Sequence, residues 1–213
     1  GCAKCGIPLM FWREVPVDPH DLGSTAQACM PTILQAFLRR PADVDAGQAF
    51  ERKLYVCRRT IERAADANPA LAGKIFYVCS MSSRTIVYKG MLVATQMRRF
   101  FIDLNDAAVE TSLALVHSRY STNTTPSWER AHPNRYIIHN GEINTLRGNI
   151  SWTRAREPKL YSPALGDDLR QVLPIINREG SDSAILDNVL EFLTMNGRPL
   201  DRAVTMMIPE PGP

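Results

Sequence analysis

The sequence predicts a fold of the α+β class, because helix-like periodicity and short strand-like runs both recur along the chain. Residues 47–66 place apolar side chains at helical spacing between arginines and glutamates, which is typical of an amphipathic helix. Runs of apolar residues predict four strands, at 74–79, 84–88, 112–116 and 136–139.

Prolines shape the first part of the chain. Residues 1–23 contain three of them, which favours an edge strand and an extended crossing segment over a central strand. Residues 32–39 fit either a strand or a short helix, and periodicity does not decide between the two. We expect the helix over 47–66 to end before Asn68-Pro69, because the residue before a proline disfavours the helical conformation.

Two further helices are predicted in the second half. One presents Ile143, Leu146, Ile150 and Thr153 on the same face. The other has Ser181 or Asp182 available as its N-terminal cap, and Gly197 stands where a glycine commonly follows the last turn.

Composition excludes several functional classes. The 213 residues, 45% of them hydrophobic, suffice for one large domain or part of one. Acidic and basic residues are interspersed and the net charge is only +3, so no basic face predicts a nucleic-acid partner. No apolar run approaches the roughly 20 residues of a membrane helix, and we expect no membrane partner.

The five cysteines are an odd number, which argues against a complete disulfide framework and favours reduced thiols in a cytoplasmic protein. Cys2 and Cys5 form a CxxC pair. A zinc site would need a second pair at suitable spacing, and the other cysteines and the histidines offer none. A redox dithiol is usually followed by a helix, whereas a proline-rich segment follows here, so the role of the pair stays open.

Hydrogen-bonding residues are dense in the stretch 117–149. Arg119 carries a planar guanidinium that can grip a carboxylate through two hydrogen bonds, and Thr122 could add a hydroxyl. Asn140 offers an amide group, and Gly141 offers a backbone N–H with no side chain in the way. Two such donors aimed at one point would form an oxyanion hole, which stabilises the tetrahedral intermediate of an acyl transfer.

Asp182 could complete such a site by accepting hydrogen bonds from an ammonium group, although a helix-capping role competes. Together these residues would hold a free α-amino acid by both charged ends. Each also has an ordinary structural role. A strand-end arginine is commonly a solvated ion-pair partner, Asn-Gly is a frequent hairpin turn, and Ser-Asp often only caps a helix.

Three motifs carry a resemblance when taken together: HSRYSTNT at 117–124, HNGEINTLRGN at 139–149 and EGSDS at 179–183. In this order and spacing they resemble the glutaminase domain of the glutamate synthase large subunit, a class II glutamine amidotransferase. The tetrapeptide 142–145 resembles glutamate synthases more than other class II amidotransferases. The resemblance extends over nearly the whole chain, through segments 12–18, 50–56, 84–91 and 206–210.

The resemblance implies a four-layer α-β-β-α sandwich of the N-terminal-nucleophile hydrolase type. It implies hydrolysis of L-glutamine to glutamate, with the ammonia passed on for amination of 2-oxoglutarate. By motif match, Arg119 and Thr122 would bind the α-carboxylate of glutamine and Asp182 its α-amino group. Asn140 and Gly141 would form the oxyanion hole.

The resemblance also implies cofactors and partners outside this segment. The full-length enzyme would use FMN and an iron–sulfur cluster. It would receive electrons through a small NADPH-oxidising subunit or from ferredoxin, and the sequence does not decide between NADPH, NADH and ferredoxin. The remaining domains of the large subunit would act on the ammonia.

The family's nucleophile is a cysteine at the start of the mature chain. Cys5-Gly6-Ile7 has matching letters, but four residues precede it and the segment 12–18 follows too soon. We therefore expect residues 1–213 to be part of one amidotransferase domain, truncated at both ends, with its nucleophile outside this chain. Such a fragment should be inactive alone. The alternatives are another class II amidotransferase and a non-catalytic glutamine-binding or scaffold module.

Overall fold

A computed structural model describes residues 2–118, 125–141 and 143–208. Within these residues the chain forms α-helices, short 3-10 turns and one two-stranded antiparallel sheet. The strands are β1 (Leu9–Glu14) and β2 (Leu34–Leu38). The α-helices are α1 (Ser24–Ala28), α2 (Gln48–Asp66), α3 (Met97–Phe100), α4 (Leu146–Arg156), α5 (Leu169–Val172), α6 (Asp182–Met195) and α7 (Leu200–Met207).

The two longest helices confirm the predictions from periodicity. Helix α2 ends at Asp66, just before the Asn68-Pro69 step that was expected to stop it. Helix α6 is capped by Ser181, whose side chain accepts a hydrogen bond from the amide of Ala184. Gly197 follows the last turn with a φ of +86°, a conformation that side chains disfavour. No helix in the described ranges has the length and apolar character to cross a bilayer.

The sheet accounts for both segments that were predicted near the N-terminus. Residues 9–14 form a strand with one partner only, as the prolines around them suggested, and residues 34–38 are that partner. The rings of Phe11 and Phe37 stack across the pair with centroids 4.4 Å apart. Both faces of β1 remain largely exposed, so this pair of strands adds little to the core.

The four strands predicted at 74–79, 84–88, 112–116 and 136–139 are wrong, because none of these described segments joins a sheet. A strand exists only where a neighbouring strand completes its hydrogen bonds. Here side chains take that place in part: the amide of Val87 donates to the Ser80 hydroxyl, and the amide of Tyr136 donates to the Asp187 carboxylate. Apolar composition alone did not reveal these side-chain acceptors.

Three hydrophobic clusters form the core of the described part of the chain. The first lies between α2, α5 and α6 and consists of Tyr55, Val56, Leu165, Leu169, Val172, Ile175, Ile176, Ile185, Phe192 and Met195. The second consists of Val15, Leu22, Ala26, Phe100, Phe101 and Trp128. The third consists of Ile7, Phe50, Leu54 and Cys57. Helix α4 packs Leu146 and Ile150 against the first cluster, on the face that the sequence predicted.

A buried ion network joins α2 to α6 beside the first cluster. The Arg58 guanidinium, 2% exposed, donates to Glu62 at 2.8 Å and to Glu191 at 2.5 Å. Arg59 and Arg135 also pair with Glu62. Burial of Glu62 opposes the charged form of its carboxylate. The three arginines nevertheless hold the pKa of Glu62 below its ordinary value. The network therefore fixes the spacing of the two longest helices.

We expect Glu191→Gln to lower the free energy of unfolding by about 2–4 kcal/mol, because it leaves Arg58 buried with only one carboxylate partner. The double variant Arg58→Met/Glu191→Leu should lose less than the sum of its single changes, since no unpaired charge remains. Urea unfolding measures both values. The exposed pair Arg99–Asp21 is the control, and Arg99→Met should change stability by less than about 0.5 kcal/mol. Strict additivity at Arg58 and Glu191 would contradict this account.

His132 is a buried imidazole, 7% exposed, and its ring lies against that of His117 with centroids 4.4 Å apart. Neither ring nitrogen has a hydrogen-bond partner among the described residues. Burial lowers the pKa of His132 to about 4, and nearby His117, Lys89 and His139 add to the effect. The ring is therefore neutral at pH 7 and costly to protonate in the folded state.

The stability of the chain should fall as the pH falls from about 6.5 to about 4, because the unfolded chain then binds a proton at His132 that the folded chain does not. The loss should reach roughly 3 kcal/mol, at about 1.4 kcal/mol per pKa unit. Urea unfolding of wild type and His132→Gln across this range isolates the effect from other groups. The exposed His20→Gln is the control, and parallel curves for wild type and His132→Gln would refute the assignment.

Candidate functional site

The N-terminus of α6 carries one of the predicted site residues. Ser181 is the cap of the helix, and Asp182 is its first residue. The Asp182 carboxylate accepts from the amide of Ser183 at 2.6 Å and from that of Ile143 at 3.1 Å. The contact with Ile143 joins α6 to the segment that follows the Asn140-Gly141 corner. Asp182 therefore lies against the backbone just after the Asn140-Gly141 corner.

The Asn140-Gly141 corner packs against the ring of His139. A Cβ atom built on Gly141 would lie 3.2 Å from two atoms of that ring, which is closer than an ordinary contact. A glycine is therefore favoured here because of space and not because of a positive φ. His139 in turn contacts the Ser183 hydroxyl at 3.3 Å through Nδ1, which again ties the corner to α6.

Asp187 positions the segment that leads into this corner. Its carboxylate accepts hydrogen bonds from the amides of Arg135 at 3.2 Å, Tyr136 at 2.8 Å and Ile137 at 3.1 Å. The side chain is 1% exposed, and burial raises its pKa against the lowering effect of these amides. One buried side chain thus fixes three consecutive backbone donors just before His139.

Asn140 and Gly141 are exposed, whereas Asp182 is half-buried. The amide group of Asn140 and the backbone of Gly141 are therefore accessible to solvent, and the Asp182 carboxylate is held by the Ser183 and Ile143 amides close by in the chain. Such an arrangement can donate to an oxygen and accept from an ammonium group of the same small molecule.

Arg119 and Thr122 lie outside the described residues, so their predicted contact with this corner stays a prediction. The nearest described ring on the N-terminal side is that of His117, which lies against the ring of His132. His139 and Asp182 are among the groups whose charge affects the pKa of His132. His117 therefore lies on a ring whose electrostatic neighbours include two residues of the candidate site.

Cys5, the unlikely nucleophile, lies elsewhere in the core. It packs against the third cluster, with Phe50 and Leu54, whereas Tyr136 and Ile185 next to the candidate site pack in the first. All five cysteines are free thiols.

Sequence reasoning missed three residues of the site: His139, Ser183 and Asp187. His139 and Ser183 stand inside the quoted motifs but were given no role. For Asp187 a signal existed, since Asp187 and Glu191 are acids four residues apart on an otherwise apolar helix and therefore share one face. Acids at such positions are rarely buried without a partner, and each has one here.

Curated relatives agree with the resemblance. The chain is 50% identical over 206 residues to the glutamate synthase [NADPH] large chain of Bacillus subtilis, covering 97% of this chain and 13% of the relative. It is 47% identical to the glutamate synthase [NADH] of Schizosaccharomyces pombe, covering 97% of this chain and 10% of the relative. It is 41% identical to the chloroplastic ferredoxin-dependent glutamate synthase of Spinacia oleracea, covering 98% of this chain and 13% of the relative.

The chain therefore spans only about a tenth of the length of these relatives. All three are glutamate synthases, so the predicted resemblance is confirmed. The family model described as glutamine amidotransferases class-II matches residues 2–212, which is nearly the whole chain. The described site residues Asn140, Gly141 and Asp182 all fall inside this match, and the chain belongs to the class-II glutamine amidotransferases.

Proposed function

We propose that residues 1–213 are part of one glutaminase domain of a glutamate synthase large subunit. The domain hydrolyses L-glutamine to glutamate and supplies ammonia for amination of 2-oxoglutarate. The observation that carries the proposal is the hydrogen bond from the Ile143 amide to the Asp182 carboxylate, which holds a carboxylate beside the Asn140-Gly141 corner. The family match and the glutamate synthase relatives support the same activity.

The substrate is gripped at both ends in this proposal. Arg119, helped by Thr122, binds the α-carboxylate, and Asp182 accepts from the α-ammonium group. One Asp182 oxygen, Oδ1, accepts from Ser183, and the other, Oδ2, accepts from the Ile143 amide. The Ser183 hydroxyl also contacts Oδ1, at 3.2 Å, so these contacts orient the carboxylate for the ammonium group.

The Asn140 amide and the Gly141 N–H stabilise the reacting carbonyl. When the nucleophile adds to the side-chain amide carbon of glutamine, negative charge develops on the carbonyl oxygen. Two donors held in place need no reorganisation at that moment, so they lower the barrier more than they strengthen ground-state binding. The Asp187 carboxylate and the His139 ring keep the corner in position for this role.

The nucleophile in this proposal is a cysteine other than Cys5, supplied from outside residues 1–213. The packing of Cys5 against Phe50 and Leu54 in the third cluster supports this assignment. The four-layer α-β-β-α sandwich belongs to the same proposal and rests on membership of the family.

Cofactors and partners complete the proposal. FMN and an iron–sulfur cluster would be held by other domains of the large subunit, with ferredoxin or a small NADPH-oxidising subunit as electron donor. The names of the relatives include NADPH, NADH and ferredoxin. Among the described residues, no His, Cys, Asp and Glu side chains are grouped so as to hold a metal ion. We place the protein in the cytoplasm, although the spinach relative is named chloroplastic.

Replacing Arg119 and Asn140 in the full-length polypeptide should affect different kinetic constants. Arg119→Lys should mainly raise KM for L-glutamine, because it loses one of two parallel hydrogen bonds to the α-carboxylate. Asn140→Ala should mainly lower kcat, by about 100-fold or more, because it removes a donor to the oxyanion. Steady-state glutaminase assays separate the two constants.

Exposed residues of the same types serve as controls for this pair: Arg178→Lys and Asn149→Ala should leave both constants within about twofold. Comparable KM effects from Arg119→Lys and Asn140→Ala would contradict the two roles. Glutamine binding without any hydrolysis by the wild-type full-length polypeptide would instead support a non-catalytic binding module.

Asp182→Asn should raise KM for L-glutamine at least about tenfold, because a neutral amide replaces the charge that pairs with the ammonium group. It should barely alter turnover of a glutamine analogue that lacks the α-amino group. Comparing the two substrates in one assay separates loss of recognition from local distortion, since the Ile143 amide can still donate to the carbonyl oxygen of the substituted side chain. An equal loss with both substrates would show that Asp182 acts only on the corner.

A further inference from the structure

The CxxC pair lies on a helical turn of its own. Residues Cys2–Cys5 form a 3-10 helix, in which side chains three residues apart lie on the same face. With a rise of about 2 Å per residue, the two Cα atoms are about 6 Å apart, which is within the roughly 4.4–6.8 Å that a disulfide spans. The spacing alone did not predict this geometry, because the proline-rich segment after the pair gave no indication of a helix.

A third thiol faces this turn from α2. Cys57 is fully buried in the third cluster, and both Cys2 and Cys5 are half-buried against it. Cys2 and Cys5 are also among the groups that raise the pKa of the Cys57 thiol. The backbone of the turn is held independently, by hydrogen bonds from Gly6 to Ala3 at 3.1 Å and from Ile7 to Cys2 at 3.1 Å. The two cysteines of the turn thus pack against the same hydrophobic cluster that contains Cys57, and the backbone of the turn is fixed.

We propose that Cys2 and Cys5 are a peroxide-sensitive dithiol that closes to a disulfide across the 3-10 turn, with Cys57 remaining a thiol beside it. This site is separate from the candidate glutaminase site, because its residues pack in the third cluster and not in the first. The inference does not depend on the proposed function.

The reaction balances with a peroxide as the oxidant. The thiolate of one partly exposed cysteine attacks a peroxide oxygen, which gives a sulfenic acid and, after protonation, one molecule of water. The thiolate of the second cysteine then attacks that sulfur and releases the second water as the S–S bond forms. The two thiols lose two hydrogens, and hydrogen peroxide is reduced to two molecules of water.

Cys57 is unsuited to either step. The thiolate is the reactive form of cysteine, and burial among apolar side chains raises the pKa of the Cys57 thiol well above its ordinary value. Cys2 and Cys5 both retain access to solvent. Oxidation should therefore be confined to the pair on the turn while Cys57 is shielded.

Lys4 lies between the two cysteines, which makes the bond easy to detect. The protein is treated with hydrogen peroxide, its free thiols are alkylated in denaturant, and it is digested with trypsin without reduction. We expect the peptide that ends at Lys4 to stay joined to the peptide 5–13 and to separate on reduction. The peptide 54–58, which contains Cys57, should carry the alkyl group.

Three cysteine variants and one reference cysteine show which thiols form the bond. Cys2→Ser and Cys5→Ser should each abolish the joined peptides, whereas Cys57→Ala should keep them. The exposed Cys29, whose thiol donates to the carbonyl of Thr25, reports oxidation of an ordinary surface cysteine in the same sample. Oxidised Cys2 or Cys5 should be recovered as the joined peptides and not as a sulfinic acid, because the second thiol is in place to capture the sulfenic acid.

Two results would overturn the proposal. One is a bond between Cys57 and either cysteine of the turn. The other is oxidation of Cys29 in wild type while the peptide ending at Lys4 and the peptide 5–13 stay separate. Both are read from the wild-type digest, so the test stands even where a cysteine variant folds poorly.

Discussion

The Asp187 carboxylate is the contact on which the geometry of the candidate site depends. It accepts from three consecutive backbone amides, at 135, 136 and 137, and lies in the middle of α6. A short apolar segment without a strand partner would otherwise leave these donors buried and unpaired, at a cost of about 1–3 kcal/mol each. The fixed segment then delivers His139, Asn140 and Gly141 to the N-terminus of the same helix.

This arrangement requires buried carboxylates on α6, and one of them is compensated by a charged side chain of α2. Burial raises the pKa of Asp187, and the hydrogen bonds from backbone amides and the charge of Arg135 oppose that rise. Glu191, one turn further along α6, is buried as well and is compensated by Arg58 of α2. The same face of α6 thus carries two buried acids. Asp187 accepts hydrogen bonds from backbone amides, and Glu191 pairs with the Arg58 guanidinium. The apolar contacts of the first cluster hold both acids away from water.

The sequence predicted those parts of this structure that depend on local chemistry. Helices α2 and α6 follow from apolar periodicity, a cap and stop signals, all of which act within a few residues. Strands at 136–139 and elsewhere were wrong, because whether an apolar run pairs with a strand or with a distant carboxylate is decided by tertiary contacts. For the site, motif resemblance selected Asn140, Gly141 and Asp182. It gave no role to His139 or Asp187, which act by packing and hydrogen bonding from elsewhere in the chain.

The order Ser-Asp-Ser at 181–183 shows how neighbouring polar residues can divide three tasks. The cap position belongs to Ser181, whose hydroxyl accepts from the Ala184 amide. Asp182 therefore falls in the first turn of α6, where a negative side chain interacts favourably with the helix dipole. Its carboxylate can then reach across to the Ile143 amide, while Ser183 contacts His139. A one-residue shift of the cap would therefore undo the link between α6 and the Asn140-Gly141 corner without changing the composition of the motif.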